Sequence, residues 1–271
     1  MKGSTAAVIA AITDLVAEKA AFKGDLIFVG AAGEETDSCG AKRFVEQNKH
    51  DLTNLQAVVI PEPTNFEIIT AHRGIAWLKV TTFGKTAHGS MPQEGINALY
   101  AMNTFINELR ATDFGIEHPL LGKGTVSVNT ISGGNAINVI PDKCEAQIDI
   151  RIVPGQTVES VIAEVEKIFA RLKQRDKTFD AKVEVARHCD ALDTDPKSQF
   201  VRKFCEVVEN PTTKTIGCTT DGPCFAGLGI PVIIYGAGIL TVCHKPDEYV
   251  ELADLEKGRQ IYKKILREFL C

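Results

Sequence analysis

Two adjacent carboxylates, Glu34 and Glu35, follow an apolar run and four small residues, Gly30 to Gly33. The run Leu26–Val29 is too short for a helix and is rich in strand-favouring residues, so it predicts a buried strand that ends at a loop. Ligands of open α/β sheets bind beyond the carboxyl ends of such strands. One carboxylate there can coordinate a cation while its neighbour moves a proton, although a solvated acidic turn is the simpler alternative.

Two further candidate ligands also follow predicted strands. Glu62 comes directly after the apolar stretch 57–60 and Pro61, and His244 follows the predicted strand 231–235 and a glycine-rich turn. Carboxylate oxygen and neutral imidazole are ligands that Zn²⁺ prefers. The pattern therefore predicts a divalent-metal site at one edge of the sheet, with an ordinary surface histidine as the alternative for His244.

The elements around these residues predict two domains. Helices are expected over residues 4–21, 38–48, 197–208 and 250–269, alternating with the strands named above and with a turn at 215–224. Between them, residues 73–187 read as strand, helix, two strands, helix and strand, which is the ferredoxin-like arrangement. We therefore expect one domain from residues 1–72 and 188–271, into which residues 73–187 are inserted.

The inserted block has its own pattern of elements. Strands are predicted at 75–83, 125–131, 144–152 and 181–186, and helices at 94–110 and 156–173.

Composition excludes several classes of function. The chain has 271 residues and a net charge of −5, without a basic stripe that would suit nucleic acid. Residues 1–21 carry charges and predict neither a signal peptide nor a membrane span, so a cytoplasmic location is expected. The eight cysteines include no Cys-x-x-Cys pair and are expected to be reduced. The Gly-x-Gly-x-x-Gly spacing of dinucleotide-binding proteins is absent around Gly30 and Gly33.

Six short motifs together resemble the M20 family of metallopeptidases and deacylases, and they occur in that family's order along almost the whole chain. They are Gly33–Glu35, Pro61–Thr64, Ala87–Pro92 with Gly95–Ala98, Asn138–Pro141 with Asp149–Arg151, Thr219–Gly222, and His244–Glu248. The resemblance implies a zinc-exopeptidase-like α/β domain with a mostly parallel sheet, plus an inserted ferredoxin-like α+β domain for dimerisation or as a lid.

The resemblance also implies roles at the metal centre. Glu34 matches the general base, Glu35 and His244 match ligands of one zinc, and Glu62 matches a ligand of the second. His88 matches the histidine that stabilises the oxyanion, commonly in the site of the neighbouring subunit.

Substrate contacts are implied at Asn138, Arg151 and Thr219, with Arg151 suited to a carboxylate. Three local alternatives stay open. Arg151 alternates with apolar neighbours like an exposed strand residue. Asn138 is typical of a turn. Asp221 is expected to be a turn residue or helix cap rather than a ligand.

The chain departs from the family at its start. The family's metal-bridging aspartate precedes Met-Lys-Gly, and this sequence begins Met1-Lys2-Gly3, without the upstream His-x-Asp segment. We therefore expect a fragment that holds no zinc or one zinc and is inactive alone, whereas the intact site would hold two zinc ions, or Co²⁺ or Mn²⁺.

For the intact protein, the resemblance implies a homodimer, paired through residues 73–187, that hydrolyses amide bonds in N-acyl amino acids or related small anions. Acetylornithine and succinyl-diaminopimelate are the expected kinds of substrate. A dipeptidase or carboxypeptidase of the same family, and a non-catalytic protein that dimerises or binds ligands, are the alternatives.

Overall fold

The computed structural model describes all 271 residues and divides the chain into two compact units. The discontinuous unit comprises Met1–His72 and Leu192–Cys271, and the inserted unit comprises Arg73–Ala191. No helix in either unit has both the length and the apolar character that crossing a membrane requires.

The two units contain seven α-helices, eleven strands and three short 3₁₀ helices, which are Asp51–Asn54, Pro92–Glu94 and Leu240–Val242. The helices are α1 Lys2–Ala17, α2 Cys39–Gln47, α3 Ala98–Ala111, α4 Val158–Arg175, α5 Gln199–Val207, α6 Gly222–Ala226 and α7 Leu252–Leu270. The strands are β1 Val58–Ile60, β2 Ile68–His72, β3 Gly74–Phe83, β4 Glu117–His118, β5 Gly122–Lys123, β6 Thr125–Gly133, β7 Lys143–Ile152, β8 Asp180–Cys189, β9 Leu192–Asp193, β10 Thr213–Ile216 and β11 Val232–Ile234.

The inserted unit is a four-stranded antiparallel sheet in the order β6-β7-β3-β8, with α3 and α4 packed on one face. Residues alternate along β7, so that Cys144, Ala146 and Ile148 enter the core while intervening polar residues face the other way. Helix α4 begins with a capping box formed by Thr157 and Ser160. This order of strands and helices confirms the predicted ferredoxin-like fold.

The sheet of the discontinuous unit is mixed. Its order is β1-β11-β2-β10, with β9 also paired to β2. The pairs β1/β11 and β2/β10 are parallel, whereas β11 pairs with β2 in the antiparallel direction. Because β1 and β11 are parallel neighbours, the segments that follow them leave the sheet at the same edge.

Helices α1 and α7 pack against this sheet through small and aromatic residues. Ala7 and Ala11 lie beside Tyr235, Tyr262 and Ile265 in one buried cluster. Two polar contacts add to this packing: the Ser4 hydroxyl donates to the Ala237 carbonyl at 2.8 Å, and Arg259 forms an ion pair with Asp14.

The predicted strand over Leu26–Val29 is wrong. No strand is present there, and Leu26, Ile27 and Phe28 are 41%, 49% and 47% exposed. A strand is stabilised by ladder hydrogen bonds to a neighbour, and no strand of either sheet pairs with this run. Its flanks are held instead, since Lys23 N–H donates to the Leu270 carbonyl at 2.6 Å and Gly40 N–H donates to the Ala32 carbonyl at 2.9 Å.

One other local prediction needs correction, and one strand was missed. The turn predicted over 215–224 contains the end of β10 and most of α6. Strand β2, which is buried along its whole length, was not predicted.

We expect Tyr262→Phe to lower the free energy of unfolding by about 1–2 kcal/mol, because it leaves a buried carbonyl without its donor. The Tyr262 hydroxyl donates to the Tyr235 carbonyl, and Tyr262 is only 4% exposed. Urea unfolding measures the change, with Tyr249→Phe as the control because Tyr249 is 53% exposed. Equal stability of the two variants would contradict the role of this bond.

We expect Phe28→Lys to reduce self-association, because an exposed apolar segment of strand-favouring residues is a site for pairing between chains. Sedimentation velocity at several protein concentrations measures the effect. Leu252→Lys is the charge-matched control at another exposed apolar residue, 82% exposed on α7. A variant at position 28 that associates as strongly as this control would show that the segment does not drive association.

Candidate metal and catalytic site

Glu34 and Glu35 lie in a tight turn that leads into α2 rather than at the end of a strand. The Gly33 carbonyl accepts hydrogen bonds from the N–H groups of Thr36, Asp37 and Ser38 at 3.1, 3.1 and 2.8 Å. Gly33 has φ +87°, and a Cβ there would lie 2.7 Å from the Cys39 Sγ. Glycine is therefore required for the turn, which leaves Glu34 half-buried and Glu35 exposed.

The imidazole of His244 approaches this turn. Its Nε2 lies 3.8 Å from the Glu35 Oε2, and both side chains are about three-quarters exposed, at 74% and 73%. His244 adopts φ +59°, and its backbone N–H donates to the Glu248 Oε2 at 2.9 Å. The Glu248 carboxylate thus stabilises the loop that presents His244.

Glu62 lies close enough to this pair to interact with it electrostatically. It follows β1 and is half-buried. Burial raises the pKa of the Glu62 carboxyl, and the charges of Asp221 and Glu35 raise it further, whereas the Met1 amino group and His244 lower it. The structure therefore brings Glu35 and His244 into contact and places Glu62 within reach of both charges.

The donor types fit a zinc ion, but their number does not complete a site. Two atoms 3.8 Å apart can share an ion that lies about 2.0–2.2 Å from each. Catalytic zinc sites, however, use three protein ligands, and the chain contains no group of three or more His, Cys, Asp or Glu side chains arranged to hold a metal. The residues present therefore do not form a complete metal site by themselves.

Asp221 is a candidate site residue that the sequence did not reveal. It stands at the N-cap position of α6, as expected for a turn residue or helix cap, but its side chain makes no capping hydrogen bond. It is 8% exposed, its Oδ1 is buried without a hydrogen-bond partner, and burial raises its pKa. The one feature of the sequence that could have indicated Asp221 as a site residue is its place in the Thr219–Gly222 motif. Thr219, in the same loop, is half-buried.

His88 is exposed in the inserted unit, and its neighbours fix its hydrogen-bonding state. The Nδ1 lies 2.8 Å from the Ser90 hydroxyl and accepts the Ser90 N–H at 3.3 Å. A ring nitrogen that accepts a backbone N–H carries no proton, so in the neutral ring the proton is assigned to Nε2. His88 thereby offers an N–H donor.

Asn138 lies next to His88, whereas Arg151 does not. The Asn138 carbonyl accepts the Gly89 N–H at 2.7 Å, and Val139 forms a bridge with His88. Asn138 precedes the first residue of β7, Lys143, whereas Arg151 lies near the last residue of that strand. Lys143 and Arg151 are about 26 Å apart along β7, at roughly 3.3 Å per residue.

The Arg151 guanidinium is also partly occupied. Its Nε and Nη2 donate to the two oxygens of Asp149 at 2.8 and 2.9 Å. The bidentate geometry predicted for a substrate carboxylate is thus used within the chain.

Comparisons with known proteins show what this chain is similar to. Residues 70–177 match the peptidase dimerisation domain of the M20 family. Acetylornithine deacetylase from Myxococcus xanthus is 29% identical over 253 residues, which cover 91% of this chain and 66% of that protein. The chain therefore spans just under two thirds of the length of this relative.

Two solved structures share the fold. Aminopeptidase PepT from Bacillus cereus superposes with a TM-score of 0.82 at 21% identity, over 98% of this chain and 70% of that one. A dinuclear metal-binding peptidase of the M20 family from Bacillus subtilis gives a TM-score of 0.74 at 17% identity, over 99% and 71%.

The dimerisation-domain match, the similarity to an acetylornithine deacetylase and the shared fold agree with one another: this chain resembles the M20 family of metallopeptidases and deacylases.

Proposed function

We propose that the protein carrying this chain is a metal-dependent hydrolase of amide bonds in N-acyl amino acids or related small anions. The observation that carries the proposal is the 3.8 Å approach of Glu35 and His244, next to Glu34 in the same turn and within electrostatic reach of Glu62. Similarity to an acetylornithine deacetylase supports acetylornithine or succinyl-diaminopimelate as the kind of substrate.

Glu35 and His244 would hold one divalent ion and Glu62 would contribute to a second, with Zn²⁺ the proposed metal and Co²⁺ or Mn²⁺ as substitutes. Such ions supply Lewis-acid activation of the acyl group and of water when bound. Two protein ligands hold zinc weakly, so we infer that a tightly held pair needs ligands in addition to those described above.

Glu34 is the proposed general base. Its carboxylate would take one proton from the attacking water and deliver it to the nitrogen of the departing amine as the carbon–nitrogen bond breaks. Glu34 is half-buried in the Gly33 turn, which restricts the directions in which its carboxylate can point.

His88 is the proposed oxyanion donor, through the Nε2–H that its contacts with Ser90 leave available. Asn138, adjacent to it, and Thr219 are proposed substrate contacts. Arg151 would reach a substrate only with the donors that Asp149 does not use.

The assembly proposed for this protein is a homodimer formed through the inserted unit, in the cytoplasm. The match to a peptidase dimerisation domain over residues 70–177 supports the pairing.

A non-catalytic role in dimerisation or ligand binding is the second candidate. The observation in its favour is that no group of three or more metal-ligating side chains is present. Assays of the protein with Zn²⁺, Co²⁺ or Mn²⁺ on acetylornithine, succinyl-diaminopimelate and a dipeptide separate the candidates. Turnover of an acylated amino acid supports the deacylase, turnover of the dipeptide alone supports a peptidase, and no turnover with any metal supports the non-catalytic role.

We expect Glu34→Gln to lower kcat by about 10²–10⁴-fold, the usual contribution of a general base. The amide has the size of the carboxylate but cannot accept the proton, so metal content measured by mass spectrometry should be unchanged. Glu46→Gln, at an exposed position on α2, is the matched control. A Glu34→Gln variant that keeps the kcat of this control would overturn the assignment.

A further inference from the structure

His72 is a buried histidine that the proposed reaction does not use. It is the last residue of β2, a strand buried along its whole length, and it is 0% exposed. Burying an imidazole costs free energy unless its nitrogens are hydrogen-bonded. The His72 Nε2 lies 3.1 Å from the Thr220 hydroxyl oxygen, which is within hydrogen-bond distance. This bond ties the end of β2 to Thr220.

Thr220 lies in the short loop between β10 and α6, and its hydroxyl makes a second contact there. Its Oγ1 accepts the N–H of Gly222, the first residue of α6, at 3.0 Å. Thr220 is 2% exposed, so both bonds of this hydroxyl are shielded from water. One buried hydroxyl therefore joins His72 to the start of α6.

The same loop carries Thr219, a proposed substrate contact. Residues 217–221 belong to neither a helix nor a strand, so no ladder of backbone hydrogen bonds fixes them. Thr219 is half-buried and directly precedes Thr220. A planar peptide unit holds consecutive Cα atoms about 3.8 Å apart, so whatever fixes Thr220 also restricts Thr219.

We propose that His72 is a positioning residue, which holds the Thr220 hydroxyl and thereby fixes the loop that presents Thr219 to the substrate. The proposal rests on the proposed function for its effect on substrate binding. Its structural part, that loss of the His72 ring nitrogen loosens the start of α6, is independent of any hydrolysis.

Amide hydrogen exchange at Gly222 tests the structural part, because this N–H donates to the hydroxyl that His72 contacts. We expect His72→Phe, which removes the nitrogen but keeps a planar ring, to make Gly222 exchange about fivefold faster, the effect of one lost hydrogen bond. His72→Gln, whose amide group can both donate and accept, should restore the original rate. Unchanged exchange in His72→Phe, or equally fast exchange in both variants, would overturn the proposal.

The Val232 amide separates this effect from general loosening of the sheet. Its N–H also donates to a buried threonine hydroxyl, that of Thr194, at 3.1 Å, and this hydroxyl bonds the Val232 carbonyl at 2.7 Å. Because His72 takes no part in these two bonds, exchange at Val232 should stay within about twofold of the original rate in His72→Phe. An increase as large as that at Gly222 would contradict a specific role for the ring nitrogen.

Thr220→Val tests the same contact from the other side and serves as the test if His72→Phe fails to fold. Valine has the shape of threonine but lacks the hydroxyl that His72 contacts. The ¹⁵N resonance of the His72 Nε2 should therefore shift in this variant, whereas the resonances of His50, an exposed histidine, should not. An unshifted His72 resonance would overturn the proposal.

Kinetics with acetylornithine test the functional part. We expect His72→Phe to raise KM about tenfold with kcat within about twofold, because a displaced substrate contact weakens binding of the ground state and the transition state alike. With Thr219→Val already present, adding His72→Phe should have no further effect, since both changes act on one contact. His50→Phe, the same change at an exposed position, should alter neither constant.

Two kinetic results would contradict the positioning of Thr219. One is a fall in kcat with unchanged KM in His72→Phe, and the other is an equal effect of His72→Phe with and without Thr219→Val. If the unsubstituted protein shows no turnover, the proposed function fails, and the exchange experiment still decides whether His72 holds Thr220.

Discussion

The acidic turn at residues 33–38 is the constraint on which the candidate site depends. One carbonyl, that of Gly33, accepts three successive backbone N–H groups, and a side chain at this position would collide with Cys39. The turn carries Glu34 and Glu35, and it leads into α2. Left-handed conformations at Ser38 and His244 add local strain on both sides of the Glu35–His244 contact.

Charge supports the proposal that this turn belongs to a site rather than to the general surface. Glu62 and Asp221 both have pKa values raised by burial, and the Asp221 and Glu35 charges add to the shift at Glu62. Placing carboxylates where they repel one another is unfavourable for folding unless a cation offsets the repulsion. The arrangement is one that positive charge stabilises, as the Met1 amino group and His244 do at Glu62, which agrees with the metal use proposed above.

Much of the fold was predictable because its signals are local. The helical spacing of Val161, Val165, Ile168 and Leu172 and the alternation along β7 identified the elements of the inserted unit, whose order is the ferredoxin-like one. Leu26–Val29 misled the prediction because a strand needs a neighbour to pair with, and pairing is not visible in local sequence. The contact of Glu35 with His244 agrees with the predicted metal site and with the family motifs, whereas the burial of Asp221 depends on tertiary packing that is not visible in local sequence.

The central claim is that Glu35 and His244 bind one metal ion beside the Glu34 base. Anomalous scattering at the zinc edge, from crystals of the protein grown with Zn²⁺, tests it directly. The account predicts a peak about 2.0–2.2 Å from a Glu35 oxygen and from the His244 Nε2. Zinc bound only at other residues, with Glu35 and His244 both uncoordinated, would contradict it.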